Sequence, residues 1–267
     1  MNLLVTVCLI SCMSGCTSED KHIVKTVKKK LLIYCGITMV HPMQKIADII
    51  EKQHNCKITM LQGGSEDIYQ SLKMSKKGDL YFPGSDSYRK KHISEGLLSD
   101  CIYVGYNQMA LLVVKGNPKG IKADLNCLIN PAYSISIGNP DSSSVGKVAK
   151  KILTKEGLYN KVLLNAFKVS SDSRTMNNLL KDGSADIIFN WRATAYFKEN
   201  KDKMDALSLD ASVAPKKKLL INLTTCCKHE DIARAFMLYA GSEKGQQIFY
   251  EYGFLDKVGQ ARTIEHE

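Results

Sequence analysis

Residues 31–50 read LLIYCGITMVHPMQKIADII, an apolar run that breaks at a small polar loop and resumes with helical spacing. Residues 31–35 suit a buried strand. Pro42 suits a first helical position, where its missing N–H is no loss, and Met43, Ile46, Ala47 and Ile50 then recur on one helical face. The loop between them, residues 36–41, follows the carboxyl end of a strand and precedes a helix N-terminus. Open α/β sheets bind ligands at that place, so the stretch predicts a strand–loop–helix unit whose loop is half of a ligand site.

Upstream, residues 1–16 read MNLLVTVCLISCMSGC, too short to span a bilayer and too apolar for an ordinary surface strand. They have the form of an export signal, although the first residues contain no Lys or Arg. The alternative is a buried first strand with an incidental cysteine. Residues 17–30 are polar and basic, as suits a tether lying near anionic headgroups.

The whole chain has 267 residues and 44% hydrophobic content, enough for one large or two modest packed domains. Its formal net charge is +10, with lysines scattered along the chain, a pattern of solvated surface and not of a nucleic-acid interface. Of nine cysteines, three fall in or at the end of the signal segment and the other six lack framework spacing. Cys35, Cys56, Cys101 and Cys127 sit in apolar surroundings, as small core residues do, and the adjacent Cys226 and Cys227 make neither a bridge nor a metal pattern. No metal site held by protein ligands is expected.

Downstream, residues 57–61 alternate as a strand and run into Gly63, Gly64 and Ser65, where a helix bearing Ile68 and Leu72 begins. Residues 79–82 form the next strand, which ends at Pro83, Gly84, Ser85 and Asp86; a further helix starts near Ser87. Residues 101–104 and 109–114 are apolar strands on either side of Tyr106 and Asn107. The second half restates the first. Residues 133–137 are a strand, residues 138–144 a polar loop, and Val145, Val148, Ala149, Ile152 and Leu153 the face of a helix. Residues 162–169 contain a strand, residues 170–173 a loop, and Met176, Leu179 and Leu180 its helix; residues 186–189 are another strand, ending at Asn190, Trp191 and Arg192. Seven positions separate Leu72 from Asp79, and the same number separates Leu179 from Asp186. Each Asp is followed by three apolar residues and a polar loop. The repeat predicts two similar α/β lobes, each with three loops at strand ends, facing one another across a cleft. Residues 219–223 are a last strand, returning the chain to the first lobe, and two closing helices carry Ile232, Ala235, Phe236, Tyr239 and Ala240, then Ile248, Phe249 and Tyr252.

The loops are rich in Gly, Ser, Thr and Asn and poor in groups that perform chemistry. Helix N-termini carry unsatisfied N–H donors and partial positive charge, so several converging on a cleft make an anion site without a catalyst. Thr38, Ser65, Ser85, Ser142, Ser143 and Ser144 would add hydroxyls; for each taken alone helix N-capping is the first reading, and capping and ligand contact can coexist. Arg174 and Arg192 fall at loops of the second lobe and could fork to an oxyanion, or lie on the surface. Trp191 could wall the cleft or pack between lobes. No GxSxG, HExxH or P-loop is present, and His41 has no neighbouring nucleophile. No catalytic residue, and no enzyme, is expected.

Residues 13–16, MSGC, resemble the bacterial lipoprotein processing box, which implies a lipidated Cys16 as mature N-terminus. From there on the chain resembles the periplasmic solute-binding proteins of ABC importers, in the type II two-lobe class, and among them the molybdate and tungstate oxyanion-binding family. The carriers are Thr38 eight positions before Ile46, the loop Gly63-Gly64-Ser65, the segment from Gly78-Asp79 to Ser85-Asp86, Asn107 before its apolar strand, Val145-Gly146, Ser173-Arg174 and the C-terminal run ARAFMLYAGSEKGQQIFYEYGF. Trp191 stands where the family has tyrosine, Arg192 is added beside it, and Thr38 stands where serine is usual. The added arginine would suit a more highly charged or protonatable oxyanion, a phosphonate or a carboxylate.

The resemblance implies two three-layer α/β lobes joined by a hinge, lobe 1 over residues 31–107 and 213–267 and lobe 2 over residues 108–212. The implied ligand is molybdate or tungstate, or else phosphate, phosphonate, sulfate or a small carboxylate, contacting Thr38, Gly64, Ser65, Ser85, Asn107, Ser144, Val145, Ser173, Arg174, Trp191 and Arg192. The implied partner is an ABC permease in the cytoplasmic membrane, and the implied state a lipid-anchored monomer in the periplasm or on the outer face of that membrane. A surface adhesin or antigen is the alternative for a lipoprotein.

Overall fold

The computed structural model describes residues 28–141, 143–259 and 264–265. The expected signal segment with Cys16, most of the tether and Ser142 lie outside the described residues. In chain order the elements are β1 (Lys30–Gly36), α1 (Val40–His54), β2 (Lys57–Gly63), α2 (Ser65–Ser75), β3 (Leu80–Phe82), α3 (Asp86–His92), β4 (Leu98–Asn107) and β5 (Met109–Val114). There follow β6 (Ile135–Gly138), α4 (Ser144–Lys155), α5 (Tyr159–Asn165), β7 (Ala166–Ser170), α6 (Ser173–Lys181), β8 (Ile187–Trp191) and β9 (Met204–Ser208). β10 (Lys217–Thr224), α7 (Glu230–Gly241), α8 (Glu243–Glu251) and β11 (Ile264–Glu265) complete the chain.

The strands form two sheets, ordered β11-β4-β10-β3-β1-β2 and β7-β6-β8-β5-β9. Apart from β11 they share one plan. A central strand, β1 or β6, has a parallel neighbour on each side, and the third parallel strand pairs antiparallel with a long one, β10 or β5. Helices cover both sheets, so the protein is two α/β lobes, and the chain crosses between them at Gln108 and again between β9 and β10.

The equal spacing of Asp79 and Asp186 has a physical cause. In the first sheet the Asp79 N–H donates to Leu32 O at 2.8 Å, while its carboxylate accepts from Leu32 N at 2.7 Å and from Lys228 N at 2.9 Å. In the second, the Asp186 N–H donates to Ser134 O at 2.7 Å and its carboxylate accepts from Ser134 N at 2.9 Å. Each aspartate stands where the chain enters the third parallel strand and clamps it to the start of the central one, fixing their register.

Met43, Ile46, Ala47 and Ile50 of α1 are buried against Ile33, Leu80, Ile221 and Phe236, and each such side chain contributes on the order of 2 kcal/mol by leaving water. In the second lobe Val145, Ala149, Ile152 and Leu153 of α4 meet Ile135, Ile137 and Ile187. α4 lies so close to the sheet that a Cβ on Gly146 would stand 2.3 Å from the Asn139 carbonyl. That explains a glycine inside a helix's first turn.

One expectation needs correction. Residues 36–41 are not an open loop: a 3-10 turn, Ile37–Met39, follows Gly36 at once and runs into α1, which makes Pro42 the third residue of that helix. The strand expected within residues 162–169 is β7, which begins at Ala166 after α5, from which Val162 turns inward. β9 has no counterpart in the sequence reading, since Met204 is its one fully buried residue and its pattern is weak.

Replacing Asp79 by Ala leaves two backbone N–H groups without their acceptor, each costing about 1–3 kcal/mol. Urea unfolding of Asp79→Ala should therefore show a loss of about 3 kcal/mol. Gly183→Ala, whose Cβ meets nothing within 4 Å, should cost far less despite its φ of +79°.

Candidate functional site

The carboxyl ends of all six parallel strands face one cavity of about 480 Å³ between the lobes. Its walls come from residues just after β1 (Ile37, Thr38), β2 (Gly64, Ser65), β3 (Gly84, Ser85), β6 (Ser143, Ser144) and β7 (Asp172, Ser173), with Trp191 from the end of β8. This convergence follows from the topology, since parallel strands in one sheet all end on the same side.

The helix starts in these walls are not equivalent. Ser85 caps α3 by accepting from Ser87 N, Ser143 caps α4 by accepting from Gly146 N, and Asp172 caps α6 by accepting from Thr175 N. Burial acts to raise the Asp172 pKa, but the hydrogen bonds from Thr175, Ser171 and Arg174 outweigh it and keep the carboxylate charged. A negative charge thus already answers the α6 N-terminus. The 3-10 turn that leads into α1 begins at Gly36 with no side-chain cap, and α2 begins at Gly64 with none, among the described residues. Their first N–H groups meet no side-chain cap, and they lie in the first lobe; Glu66 and Asp67 stand in the first turn of α2.

Each residue expected at the site can now be placed. Thr38 lines the cavity, and its hydroxyl donates only to Met39 Sδ at 2.9 Å, a weak acceptor it can leave for an anion. Ser65 Oγ accepts from Gly84 N at 2.9 Å and also interacts with the Tyr88 hydroxyl, a neighbour in the same wall, and Tyr81 OH steadies the Ser65 carbonyl at 2.9 Å. Asn107 donates to Gly84 O at 3.0 Å, and its buried Oδ1 has no partner. Gly64, Ser85, Ser144 and Val145 line the cavity, as does Trp191, 5% exposed. Ser173 lines it too, with its hydroxyl donated to Asn190 Oδ1 at 2.6 Å.

The two arginines lie elsewhere. Arg174 lines a second cavity of about 380 Å³ on the far side of Thr38 and Ser173. Arg192 lines neither cavity. Its guanidinium donates to Gly253 O at 2.7 Å and to Asp256 Oδ1 at 3.0 Å, and lies 5.0 Å from the Tyr106 ring centre. Tyr106 OH and Lys216 bind the same carboxylate. Arg192 therefore ties the end of β8 to the first lobe at the crossover. Its charge is spent there because three donors converge on Asp256. Burial acts to raise the Asp256 pKa, but the bonds from Lys216, Tyr106 and Arg192 hold it well below the usual carboxylate range.

Sequence reading missed the charged rim. Lys147 and Lys151 of α4 and Lys217 of β10 line the first cavity, opposite Asp67. The spacing of four between Lys147 and Lys151 puts them on one helical face beside the Ser143 cap, a signal that was readable. Lys217 could be placed only once the second crossover was known.

A model of the bacterial extracellular solute-binding proteins matches residues 31–255, and the chain belongs to that family. A Bacillus subtilis protein named "Putative ABC transporter substrate-binding lipoprotein YvgL" is 23% identical over 248 residues, 91% of this chain and 92% of its own length. The fold is also that of the Azotobacter vinelandii periplasmic molybdate-binding protein, 16% identical, with a TM-score of 0.71. The match covers 85% of this chain and 99% of that one. The next is the periplasmic binding protein AfuA of Actinobacillus pleuropneumoniae with fructose-6-phosphate bound, TM-score 0.69 and 16% identical, covering 90% of this chain and 88% of that one. Such homologues are substrate-binding proteins of transport systems, working outside the cytoplasm with a permease.

The Asp256 cluster makes a pH prediction. A carboxylate whose pKa is depressed by folding stabilises the fold above its unfolded value of 3.8, and loses that contribution as pH falls through the folded value. Asp256→Asn should lower the urea midpoint at pH 6. The gap between variant and wild type should narrow as the pH is taken below 3.8.

Proposed function

We propose that this protein captures an anion bearing a tetrahedral oxyanion group between its two lobes and delivers it to an ABC permease, without catalysing a reaction. The observation that carries this reading is the pair of helix starts at Gly36 and Gly64, which enter one cavity with no side-chain cap among the described residues. Uncapped N–H groups and the helix dipoles behind them hold negative charge. Thr38 and Ser65 add hydroxyl donors to the same wall, and Lys147, Lys151 and Lys217 attract an anion from solvent.

Molybdate and tungstate are the first ligands to consider, given the fold shared with a molybdate-binding protein. A second reading, a phosphonate or another oxyanion that carries an organic part, is favoured by the cavity of about 480 Å³. A bare oxyanion takes the space of only a few waters, each of roughly 30 Å³.

Residues 31–107 with 213–267, and residues 108–212, are the moving units in this proposal. Closure about Gln108 and residues 209–216 presents the surface that the permease reads, and ligand binding shifts the population towards it. Lipidation at Cys16 would hold the protein at the outer face of the cytoplasmic membrane.

Thermal-shift measurements against molybdate, tungstate, sulfate, phosphate and phosphonates test the reading. At least one should raise Tm, and Thr38→Ala should weaken its binding by about 1–3 kcal/mol, as for a hydroxyl serving a charged group, without lowering the Tm of the free protein. Stabilisation by none of them would refute the oxyanion site.

A further inference from the structure

The first cavity does not end at Thr38. A second cavity of about 380 Å³ lies behind it, and the two share Ile37, Thr38, Asp172 and Ser173 in their walls. Only this seam of four residues separates them. The second cavity is lined differently. Arg174 and Lys181 stand on its wall one and eight residues after Ser173, on the same helix, α6. Neither has an acidic partner among the described residues.

The carboxylates nearby are already engaged. Asp172 caps α6 through Thr175, and Glu199 faces His41 at 3.5 Å. Both carboxylates keep their charge, but neither is paired with Arg174 or Lys181, so these two cations are open to an anionic group of a ligand. It is also built to hold more than a counter-ion. Asn200, 2% exposed, lines this cavity and donates to Thr194 O at 2.8 Å, yet its Oδ1 has no partner among the described residues. A buried acceptor left so is costly, and a ligand hydroxyl or an ordered water would satisfy it.

Ile37 supplies the remaining clue. It lies in the seam, belongs to both walls and is 50% exposed, and it continues an apolar surface formed by Val145, Val148 and Trp191 in the first cavity and Phe197 in the second. An apolar side chain between two anion-binding places matches a ligand with charge at both ends and carbon between. A bare oxyanion in the first cavity would leave Ile37, Arg174 and Lys181 without a role.

Resting on the oxyanion reading of the first cavity, we propose that the solute is a small organic dianion. Its phosphate or phosphonate head sits at the uncapped starts of α1 and α2, its short carbon chain covers Ile37, and its second anionic group meets Arg174 and Lys181. The second cavity then sets the specificity, and the first supplies the anchor common to many anions.

Isothermal titration of the full mature chain with inorganic phosphate, molybdate, phosphonoacetate and 3-phosphonopropionate tests this. One of the two-headed phosphonates should bind at least ten-fold more tightly than inorganic phosphate. In the double variant Arg174→Gln, Lys181→Gln that advantage should shrink to about two-fold or less. Both positions are exposed, and the Tm of the free variant checks that it folds. Ile37→Ser is a second variant, and should reduce the advantage without abolishing it.

If phosphate or molybdate binds and neither phosphonate binds more tightly, the dianion inference is overturned while the oxyanion site stands. The same holds if the advantage survives the double variant. If none of the four probes binds, the oxyanion reading itself fails, and this inference with it.

Discussion

Backbone N–H groups at the start of a helix have no carbonyl to meet inside that helix, and something outside it must answer them. In this protein that constraint organises the cleft. Three of the helices that follow the parallel strands answer it locally, through Ser85, Ser143 and Asp172. The helical starts after Gly36 and Gly64 do not, and they face the same cavity. The donors left over are the chemical content of the site. A Cβ at Gly36 would stand 2.5 Å from Met39 Cε, and one at Gly64 2.8 Å from Asp67 Oδ2, each the end of a flexible side chain.

For those donors to converge, the strands before them must end level. That is the work of Asp79 and Asp186, each bonding the backbone of the neighbouring central strand from both its N–H and its carboxylate. A slip of one residue would turn every side chain of a strand to the opposite face and misplace its loop. The same device in both lobes accounts for the identical sheet plan better than shared composition does. It also explains why the repeat is visible as a spacing and hardly at all as identical residues.

The lobes meet at two crossovers, and the charged cluster of Arg192, Asp256, Tyr106 and Lys216 sits beside them. An arginine expected to hold ligand instead holds one lobe to the other. Both roles demand a guanidinium near a strand end, and sequence offers no means of telling them apart. A neighbouring cluster is similarly structural: His92, 2% exposed, lies between Glu66 and Glu95 and stacks on Tyr69 with ring centres 3.7 Å apart. Hydrogen bonds from Lys73 and His92 draw the Glu95 pKa down to about 2, and this holds α3 against α2 beneath the site.

The sequence by itself determined the local grammar. Continuous apolar runs marked β1 and β5, which are buried on both faces, and period-3.6 patterns marked α1 and α7, which are buried on one. Gly, Ser and Thr after strands marked the loops, and the spacing of Asp79 and Asp186 revealed the doubling. Tertiary structure decided where each helix starts, and so that Gly36 and Gly64, with no side chain to accept an N–H, stand at two of those starts while Ser85, Ser143 and Asp172 stand at others. It sent Arg192 to Asp256 and Arg174 into a second cavity, and it brought Lys217 to the rim from the far side of a crossover. Each of those outcomes joins residues far apart in the chain, across a cleft that exists only when both lobes are folded.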